Sequence, residues 1–510
     1  RWATHGGVTE ANAHPLCACD ARKLAIVLNG IVENYRELRN ELLERGHTFV
    51  SETDAEVVAH LLEDAYDGDL VEAMRTVYAR IEGHFTIVVI HHDHPNHLVG
   101  VRHQTPMVVG LGDGENFVAS NLAAFLAETR NVQFPDDGEI ASITPDGVAF
   151  VDATTGLPVE HEIVAVDWDD HAAERSGYET FMLKEIYEQP EGVAETIGDR
   201  VRHRHLVLEG LGLSEDELSA VRRIVIVACG TSYHAGLIGR YAIEEWARVP
   251  VEMDIASEYR YRNPVVGPGD LVIGITQSGE TADTLAAMRL AREAGARVLT
   301  VTNIMGSQAT RDADAVLYTR AGLEIGVAAT KTFLAQVAAM YLLGLRIAEL
   351  RGSLSSTRIV ELVAELKELP SKIEATLAAV EDQVRAVAAT HGEQSFFLYL
   401  GRHIGLPVCL EGALKLKEIS YIPTDAYAAG EMKHGPIALL DESTPVVCVA
   451  TDSPVLEKVL SNVEEVRARG AQTIAVATVG GERAGEVADE TIEVARTDWI
   501  LQPVVAILPL

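Results

Sequence analysis

From about residue 196 onwards, short runs of apolar, β-branched residues alternate with longer segments rich in Ala and Leu. Three such runs are RRIVIV (222–227), DLVIGI (270–275) and RVLTVTN (297–303). Continuous apolar runs of this length are typical of strands that are buried on both faces, and the helical segments between them indicate βαβ units. This part of the chain is therefore predicted to form αβα layers around parallel sheets.

The same pattern begins again after about residue 355. FFLYL followed by Gly401 matches the run that precedes Gly230, and TPVVCVA is followed by a polar turn that contains Ser453. Gly230 and Ser278 are 48 residues apart, and Gly401 and Ser453 are 52 apart. The sequence therefore predicts an internal repeat of two αβα domains, at 196–355 and 356–510.

Residues 1 to about 165 have a different, β-rich pattern. Strands are predicted at 24–28, 85–90 and 97–101, and helices near 33–45 and 54–65. Thr53 and Glu56 have the spacing of a capping box, so each side chain should bind the other's backbone N–H. We expect an α+β domain here, followed by a linker at 166–195 that includes the charged stretch 167–170.

Two polar turns, 228–232 and 276–281, each lie between a predicted strand and a predicted helix. Their backbone N–H groups and hydroxyls could converge on one anion. Neither turn carries a Walker lysine or a G-x-G-x-x-G motif, which argues against a nucleotide or dinucleotide and favours a single phosphate on a small ligand. Two ordinary helix caps rich in Ser and Thr are the alternative interpretation.

The second repeat lacks these hydroxyl-rich turns and carries charged residues instead. On a helix Glu411, Lys415 and Glu418 share one face, here called the charged stripe. Its apolar surroundings favour an enclosed site over a solvated ion pair. A carboxylate beside an ammonium group can transfer protons, and His434, in a loop defined by Gly and Pro, adds a group that titrates near neutrality.

The overall charge restricts the partners of this chain. Among its 510 residues, 76 acidic residues outnumber 42 basic ones, for a net charge of −34. This charge disfavours nucleic acids and anionic membranes as partners. Only nine of the basic residues are lysines, a composition typical of proteins from salt-loving organisms. Since no apolar run reaches the length of a bilayer span and no signal peptide is evident, we expect a cytoplasmic protein.

Cysteine and histidine patterns give no prediction of a metal site. The five cysteines are scattered, which fits a reducing compartment. Cys17 and Cys19 have no second pair nearby, so the sequence predicts no zinc site there. Four histidines between residues 91 and 97 surround Pro95 and Asn96, and a solvated turn is the favoured interpretation.

Five motifs taken together resemble the sugar isomerase half of the glucosamine-6-phosphate synthases, a family of glutamine-dependent aminotransferases. They are ACGTS (228–232), TQSGET (276–281), GVAATKTF (326–333), EGALKLKEISYI (411–422) and AGEMKHGP (429–436). Residues 1–165 resemble the later part of the family's glutaminase domain, in RWATHG (1–6), NAHP (12–15), NGIVENY (29–35) and SETDAE (51–56). The resemblance implies an N-terminal-nucleophile-type glutaminase domain followed by two αβα sugar isomerase domains.

The resemblance also implies a reaction. Glutamine would supply ammonia, and fructose 6-phosphate would become glucosamine 6-phosphate without a metal or an organic cofactor. The sugar phosphate would bind to six residues: Thr231, Ser232, Thr276, Gln277, Ser278 and Thr281. Glu418 would move the proton between C1 and C2 with help from Lys415. His434 would open the sugar ring from a neighbouring subunit, which implies a homodimer.

For the glutamine site the resemblance implies a second set of residues. Arg1 would hold the glutamine carboxylate with Thr4 and His5 close by, and Asp54 would bind the α-ammonium group. Asn29 and the Gly30 N–H would form the oxyanion hole. Trp2 would gate the passage of ammonia.

Several features depart from the family pattern. The family's N-terminal cysteine and its C-terminal lysine tail have no counterpart between Arg1 and Leu510, so we expect a chain truncated at both ends and without full activity. Thr276 and Ala329 stand where the family often has Ser. Two alternatives stay open: a phosphosugar isomerase or deglycase, and a non-catalytic regulator that binds sugar phosphates.

Overall fold

The fold is a computed structural model that describes residues 5–20, 23–166, 175–202 and 205–510. Arg1, Trp2 and Thr4, and the predicted linker's charged stretch, lie outside these described residues. The chain divides into two compact units, one of residues 1–174 with 280–282 and the other of residues 175–279 with 283–510.

Two antiparallel sheets and three helices form the first unit. The strands are β1 (Leu16–Cys17), β2 (Leu24–Val32), β3 (Gly83–His91), β4 (His94–His103), β5 (Val108–Leu111), β6 (Asn116–Ala119), β7 (Asn131–Gln133), β8 (Glu139–Thr144), β9 (Gly147–Asp152), β10 (Pro158–Val159) and β11 (Val164–Ala165). The helices are α1 (Tyr35–Glu44), α2 (Glu56–Ala65) and α3 (Leu70–Tyr78). The sheet orders are β1-β2-β3-β4-β8-β9-β10 and β11-β7-β5-β6.

The predicted strands and helices of this unit are confirmed, but the capping box predicted at the start of α2 is not. The three predicted strands lie within β2, β3 and β4, and the predicted helices correspond to α1 and α2. The histidine-rich segment is the hairpin between β3 and β4, where His92 is exposed but His91 is buried against the ring of Tyr66.

The capping box predicted at the start of α2 is wrong. Glu56 is the first residue of the helix, and its carboxylate accepts hydrogen bonds from the backbone N–H groups of Val50 and Ser51, each at 2.7 Å. The Ser51 hydroxyl donates to the same carboxylate at 2.6 Å, while Thr53 bonds to Ser51 instead. The loop before α2 folds over the helix start, so the backbone N–H that binds Glu56 is that of Ser51 rather than that of Thr53.

The second unit contains two five-stranded parallel sheets. Its strands are β12 (Val201–Arg202), β13 (His205–Leu206), β14 (Arg223–Ala228), β15 (Val251–Ile255), β16 (Asp270–Thr276), β17 (Arg297–Thr302), β18 (Ala315–Tyr318), β19 (Phe397–Gly401), β20 (Thr424–Ala428), β21 (Pro445–Ala450), β22 (Gln472–Thr478) and β23 (Glu490–Val494). The sheet orders are β15-β14-β16-β17-β18 and β20-β19-β21-β22-β23. Numbered within each repeat, both orders read 2-1-3-4-5, and the predicted repeat of parallel αβα domains is confirmed.

Helices cover both sheets. They are α4 (Phe181–Tyr187), α5 (Gln189–Ile197), α6 (Glu215–Ala220), α7 (Gly230–Ala247), α8 (Ala256–Tyr259), α9 (Ala282–Glu293), α10 (Gln308–Asp312), α11 (Lys331–Arg351), α12 (Ser356–His391), α13 (Gly405–Ser420), α14 (Leu456–Arg467), α15 (Glu482–Val487) and α16 (Pro503–Ala506). The largest apolar core includes residues from the strands of both sheets and from α7, α11, α12 and α13.

Helix α11 has the length and composition of a membrane span but lies buried within the fold. Among the described residues it is the one helix that qualifies by length and composition, with a mean hydropathy of 1.5 over its best window. Within the fold, 83% of that window is buried. A helix that is apolar all round and packed on every side is typical of the core of a large protein.

Candidate active sites

The two hydroxyl-rich turns leave the first parallel sheet at the same edge. Strands β14 and β16 are neighbours, and Ala228 at the end of β14 pairs with Ile275 near the end of β16. The strand order reverses between these two strands, because β15 lies on the outer side of β14. In open parallel sheets such a switch point at the carboxyl ends is the usual position of a bound ligand.

The turn at 276–281 is held closed by backbone contacts. The Gly279 N–H donates to the Thr276 hydroxyl at 3.2 Å, and its carbonyl accepts from the Ala309 N–H at 2.9 Å. Gly279 has a φ of +69°, and a Cβ there would come within 2.0 Å of the Ser307 hydroxyl oxygen. Only glycine fits this position, so the turn has little freedom to rearrange.

The turn at 228–232 starts α7. Cys229 is extended, and Gly230 begins the helix with a φ of +53°. Ser232 is buried and Thr231 is half-buried in the first helical turn. The N–H groups of such a turn have no partner within the helix and can donate to an anion.

The charged stripe of the second repeat contacts this turn of the first repeat. The Thr231 hydroxyl donates to Glu411 Oε1 at 2.9 Å, and Lys415 Nζ donates to the Thr231 oxygen at 3.1 Å. Lys415 Nζ also lies 3.3 Å from Glu411 Oε1 and 2.7 Å from Glu418 Oε2. The structure thus brings together predicted site residues that lie far apart in the sequence.

Glu411 is the centre of this network, and His234 is a member that the sequence analysis missed. His234 Nδ1 lies 2.7 Å from Glu411 Oε2. Glu411 is only 1% exposed and is surrounded by three donors, Thr231, Lys415 and His234. A signal was available, since His234 lies three residues after Thr231 on α7 and so shares its face.

The prediction that the whole charged stripe is enclosed is only partly right. Glu411 and Lys415 are buried, but the Glu418 side chain is 35% exposed because the last turn of α13 is at the surface. His434 is exposed at the end of the 3₁₀ helix Ala429–His434. Within the described part of the chain, His434 makes no hydrogen bond to the charged stripe.

The first unit brings together four predicted glutamine-site residues. His5 Nδ1 lies 3.3 Å from Asp54 Oδ1, and Asp54 Oδ2 accepts a hydrogen bond from the Val32 N–H at 2.8 Å. Asp54 is 1% exposed. Asn29 and Gly30, on β2, line the same pocket as Asp54.

Gly30 has a specific structural reason to be glycine. Its φ is +124°, and a Cβ there would lie 2.0 Å from the His84 carbonyl oxygen on β3. His84 and Thr86 also line the pocket and were missed from the sequence. They lie on β3, which reaches the pocket only through its pairing with β2.

Asn12 joins two of the sequence motifs at this site. Its side-chain amide donates to the Gly7 carbonyl at 2.9 Å, and its oxygen accepts from the Glu52 N–H at 2.9 Å. Asn12 is 5% exposed. It therefore fixes the segment after His5 against the loop that carries Asp54.

Comparison with known proteins places both sites in recognised domains. A family model described as the SIS domain matches residues 217–346 and 396–508. A model described as the glutamine amidotransferase domain matches residues 4–127. A solved C-terminal domain of glucosamine-fructose-6-phosphate aminotransferase from Francisella tularensis superposes with a TM-score of 0.63 and 38% identity, covering 66% of this chain and 94% of that chain.

Curated relatives align along the whole chain. A glutamine–fructose-6-phosphate aminotransferase (isomerizing) from Thermus thermophilus is 49% identical over 510 residues, which are 100% of this chain and 83% of the relative. The protein of the same name from Caldanaerobacter subterraneus is 47% identical over 511 residues, 100% of this chain and 84% of the relative. With this identity over its full length and with both domain types present, the chain belongs to the family of glutamine–fructose-6-phosphate aminotransferases (isomerizing).

Proposed function

We propose that the two sites described above serve the glutamine-dependent conversion of fructose 6-phosphate to glucosamine 6-phosphate and glutamate. The reaction is balanced without an oxidant or reductant. At the first site water hydrolyses the glutamine amide to glutamate and ammonia. At the second site this ammonia replaces the C2 oxygen of the sugar, which leaves as water, and a proton moves from C1 to C2.

One observation carries the proposal for the sugar site. The charged stripe of the second repeat contacts Thr231 in the hydroxyl-rich turn of the first repeat, with Lys415 Nζ 3.1 Å from the Thr231 oxygen. A ligand whose phosphate lies at the switch point of the first sheet would therefore have its carbon chain beside an ammonium group and two carboxylates. This is the arrangement that proton transfer on a phosphosugar requires.

The roles within the sugar site follow from the chemistry of each group. The phosphate is held by N–H groups and side chains of the two turns, namely Thr231, Ser232, Thr276, Gln277, Ser278 and Thr281. Glu418 is the proton carrier between C1 and C2, because its exposed carboxylate can reach a substrate that the buried Glu411 cannot. Lys415 orients Glu418 from 2.7 Å and balances its charge.

His434 completes the sugar site in this proposal as the group that opens the ring. Its exposed position on the surface of the second unit supports a contribution to the site of a second copy of the chain, and hence a homodimer. The net charge of −34 supports a protein from a high-salt cytoplasm.

At the glutamine site, Asp54 binds the α-ammonium group of the substrate. Its buried carboxylate is oriented by the Val32 N–H and lies beside His5. The Asn29 side chain and the Gly30 N–H stabilise the negative charge that develops on the amide oxygen. Arg1 and Thr4 complete the glutamine pocket, and Trp2 gates the ammonia.

A binding experiment with a matched control tests the sugar site. We expect fructose 6-phosphate, but not fructose, to raise the melting temperature of the purified chain. Ser278→Ala should weaken binding about tenfold, the loss expected for a hydrogen bond to a charged group. Ser453→Ala, at the corresponding turn of the second repeat, should bind as the parent does.

Two results would contradict the proposal in different ways. A parent chain whose melting temperature does not respond to fructose 6-phosphate would exclude the sugar site itself. Equal weakening by Ser278→Ala and Ser453→Ala would instead exclude the assignment of the phosphate to the first repeat.

A further inference from the structure

Four side chains with metal-binding atoms converge in the first unit, away from the pocket that contains Asp54. Cys19 follows β1, His47 follows α1, and His60 and Glu63 lie one turn apart on α2. Their donor atoms all lie within 4.8 Å of one another. We call these four residues the Cys–His cluster.

The distances within the Cys–His cluster fit a tetrahedron around one ion. His47 Nδ1 and His60 Nδ1 are 3.2 Å apart, and Cys19 Sγ lies 3.4 Å from His47 Nδ1 and 3.5 Å from His60 Nδ1. Glu63 Oε2 lies 3.5 Å from His47 Nδ1 and 3.8 Å from His60 Nδ1. Zinc bonds of about 2.3 Å to sulfur and about 2.0–2.1 Å to nitrogen, at tetrahedral angles, give edges of about 3.3–3.6 Å.

The outer nitrogens of both histidines face carboxylates. His47 Nε2 lies 3.0 Å from Asp64 Oδ1, and His60 Nε2 lies 3.5 Å from Glu56 Oε1. The Asp64 carboxylate is within hydrogen-bond distance of His47 Nε2 and favours the tautomer with the proton on that atom, which leaves the Nδ1 lone pair of His47 directed into the cluster. This carboxylate–histidine pairing is characteristic of histidines that bind metals.

The chemical types of the four ligands favour one kind of metal ion. One thiolate, two imidazoles and one carboxylate form a mixed set that suits Zn²⁺ better than the hard cations Mg²⁺ and Ca²⁺, which prefer oxygen ligands. We propose that the Cys–His cluster is a structural Zn²⁺ site. Four protein ligands leave no position for a substrate or a water molecule, as in other structural zinc sites.

The position of the Cys–His cluster suits an ion that holds three chain segments together. It would join the loop after β1, the segment after α1 and the middle of α2, which are separated in sequence by 28 residues and then by 13. Asp54 lies just before the first residue of α2. Zinc would therefore fix the helix that presents Asp54 to the glutamine pocket without taking part in the chemistry.

The sequence analysis missed this site for a physical reason. It tested Cys17 and Cys19 as a pair and found no second pair nearby. The ligands instead come from three separate segments, and only His60 and Glu63 have a recognisable spacing on one helix. Tertiary packing, which no local motif encodes, brings the remaining ligands together.

Metal analysis of the chain purified under reducing conditions without chelators tests the proposal. We expect about one Zn²⁺ per chain, and a fall in melting temperature when a strong chelator removes it. Co²⁺ added to the zinc-free chain should give a thiolate-to-metal charge-transfer band and the visible absorption of tetrahedral cobalt. Cys19→Ala should lose the charge-transfer band, while Cys17→Ala, only two residues away, should keep it.

A second variant keeps all four ligands and so avoids loss of folding. Asp64→Asn removes the carboxylate beside His47 and should weaken Zn²⁺ binding about 10–100-fold. A parent chain that binds no Zn²⁺ or Co²⁺ would overturn the proposal. An identical cobalt spectrum in the parent and in Cys19→Ala would overturn it as well.

Discussion

The two parallel sheets have the same strand order but different chemistry at their carboxyl edges. In the first repeat, the turns after β14 and β16 carry hydroxyls and form the switch-point site. In the second repeat, the Arg402 side chain follows β19 and donates to Asn462 on α14 at 2.8 Å. The two repeats thus share a scaffold but present different side chains at the carboxyl edges of their sheets.

The same aspartate hydrogen bond occurs in both repeats and shows how similar the two scaffolds are. Asp314, just before β18, accepts a hydrogen bond from the N–H of Val298 at 2.9 Å. Asp489, just before β23, accepts one from the N–H of Thr473 at 2.9 Å. Val298 and Thr473 are each the second residue of the neighbouring strand. The repeats therefore agree in how strands are joined and differ in what their edges bind.

The largest effect on this comparison is expected when the proposed proton carrier is removed from the second repeat. Glu418→Gln should lower the rate at which the C1 proton of bound fructose 6-phosphate exchanges with solvent deuterium about 10²–10⁴-fold, the usual contribution of a general acid–base group. Binding of fructose 6-phosphate, followed by the rise in melting temperature, should persist. Lys417→Gln, an exposed neighbour on the same helix, is the matched control and should keep the parent rate. An unchanged rate in Glu418→Gln would show that Glu418 of the second repeat is not the proton carrier.

Loss of the buried contact between the repeats should have the next largest effect. Glu411→Ala leaves Lys415 and His234 without their buried partner and should lower the free energy of unfolding by about 3–5 kcal/mol. Denaturant titration measures the change. Glu457→Ala removes an exposed carboxylate paired with Arg483 and should cost less than about 1 kcal/mol. Similar losses in the two variants would show that Glu411 does not join the repeats.

The smallest effect is expected from Asp489, and it depends on pH. Burial raises the pKa of Asp489, but hydrogen bonds from Thr473 and the charge of Arg467 outweigh this and lower it. Because the folded pKa is below the unfolded value of about 3.9, the stabilisation is present above that pH and is lost as the pH falls through the folded value.

Asp489→Asn should therefore destabilise the chain by roughly 1 kcal/mol at neutral pH. The difference from the parent should shrink as the pH drops below about 4. Unfolding midpoints of parent and variant across this range measure the effect. At neutral pH, Asp314→Asn removes the corresponding hydrogen-bond acceptor in the first repeat. If the stability difference between parent and Asp489→Asn instead grows towards acid pH, the predicted sign of the Asp489 contribution is wrong.

Most of the fold could be predicted from the sequence because strands and turns depend on local patterns. The β-branched runs indicated β14, β16 and β17, and the matching spacing of Gly230 to Ser278 and of Gly401 to Ser453 indicated the repeat. The capping box failed because Ser51, outside the motif, competes for Glu56. Local spacing cannot show which of several hydroxyls a folded loop will present.

The sites were less predictable, since their partners meet only through packing. The face shared by Glu411 and Lys415 was predictable from helical spacing, but the contact of both with Thr231 depends on how α13 packs against α7. His234 shares a face of α7 with Thr231, but it was missed because its carboxylate partner, Glu411, lies on a different helix. The Cys–His cluster was missed for the same reason.

Helix α11 lies in an apolar core that the two repeats share. The helix packs against α7 of the first repeat, and the Tyr341 hydroxyl donates to the Ile500 carbonyl, beyond the second sheet, at 2.6 Å. The same core contains residues from the strands of both sheets. Loss of either copy would therefore expose apolar surface on the other.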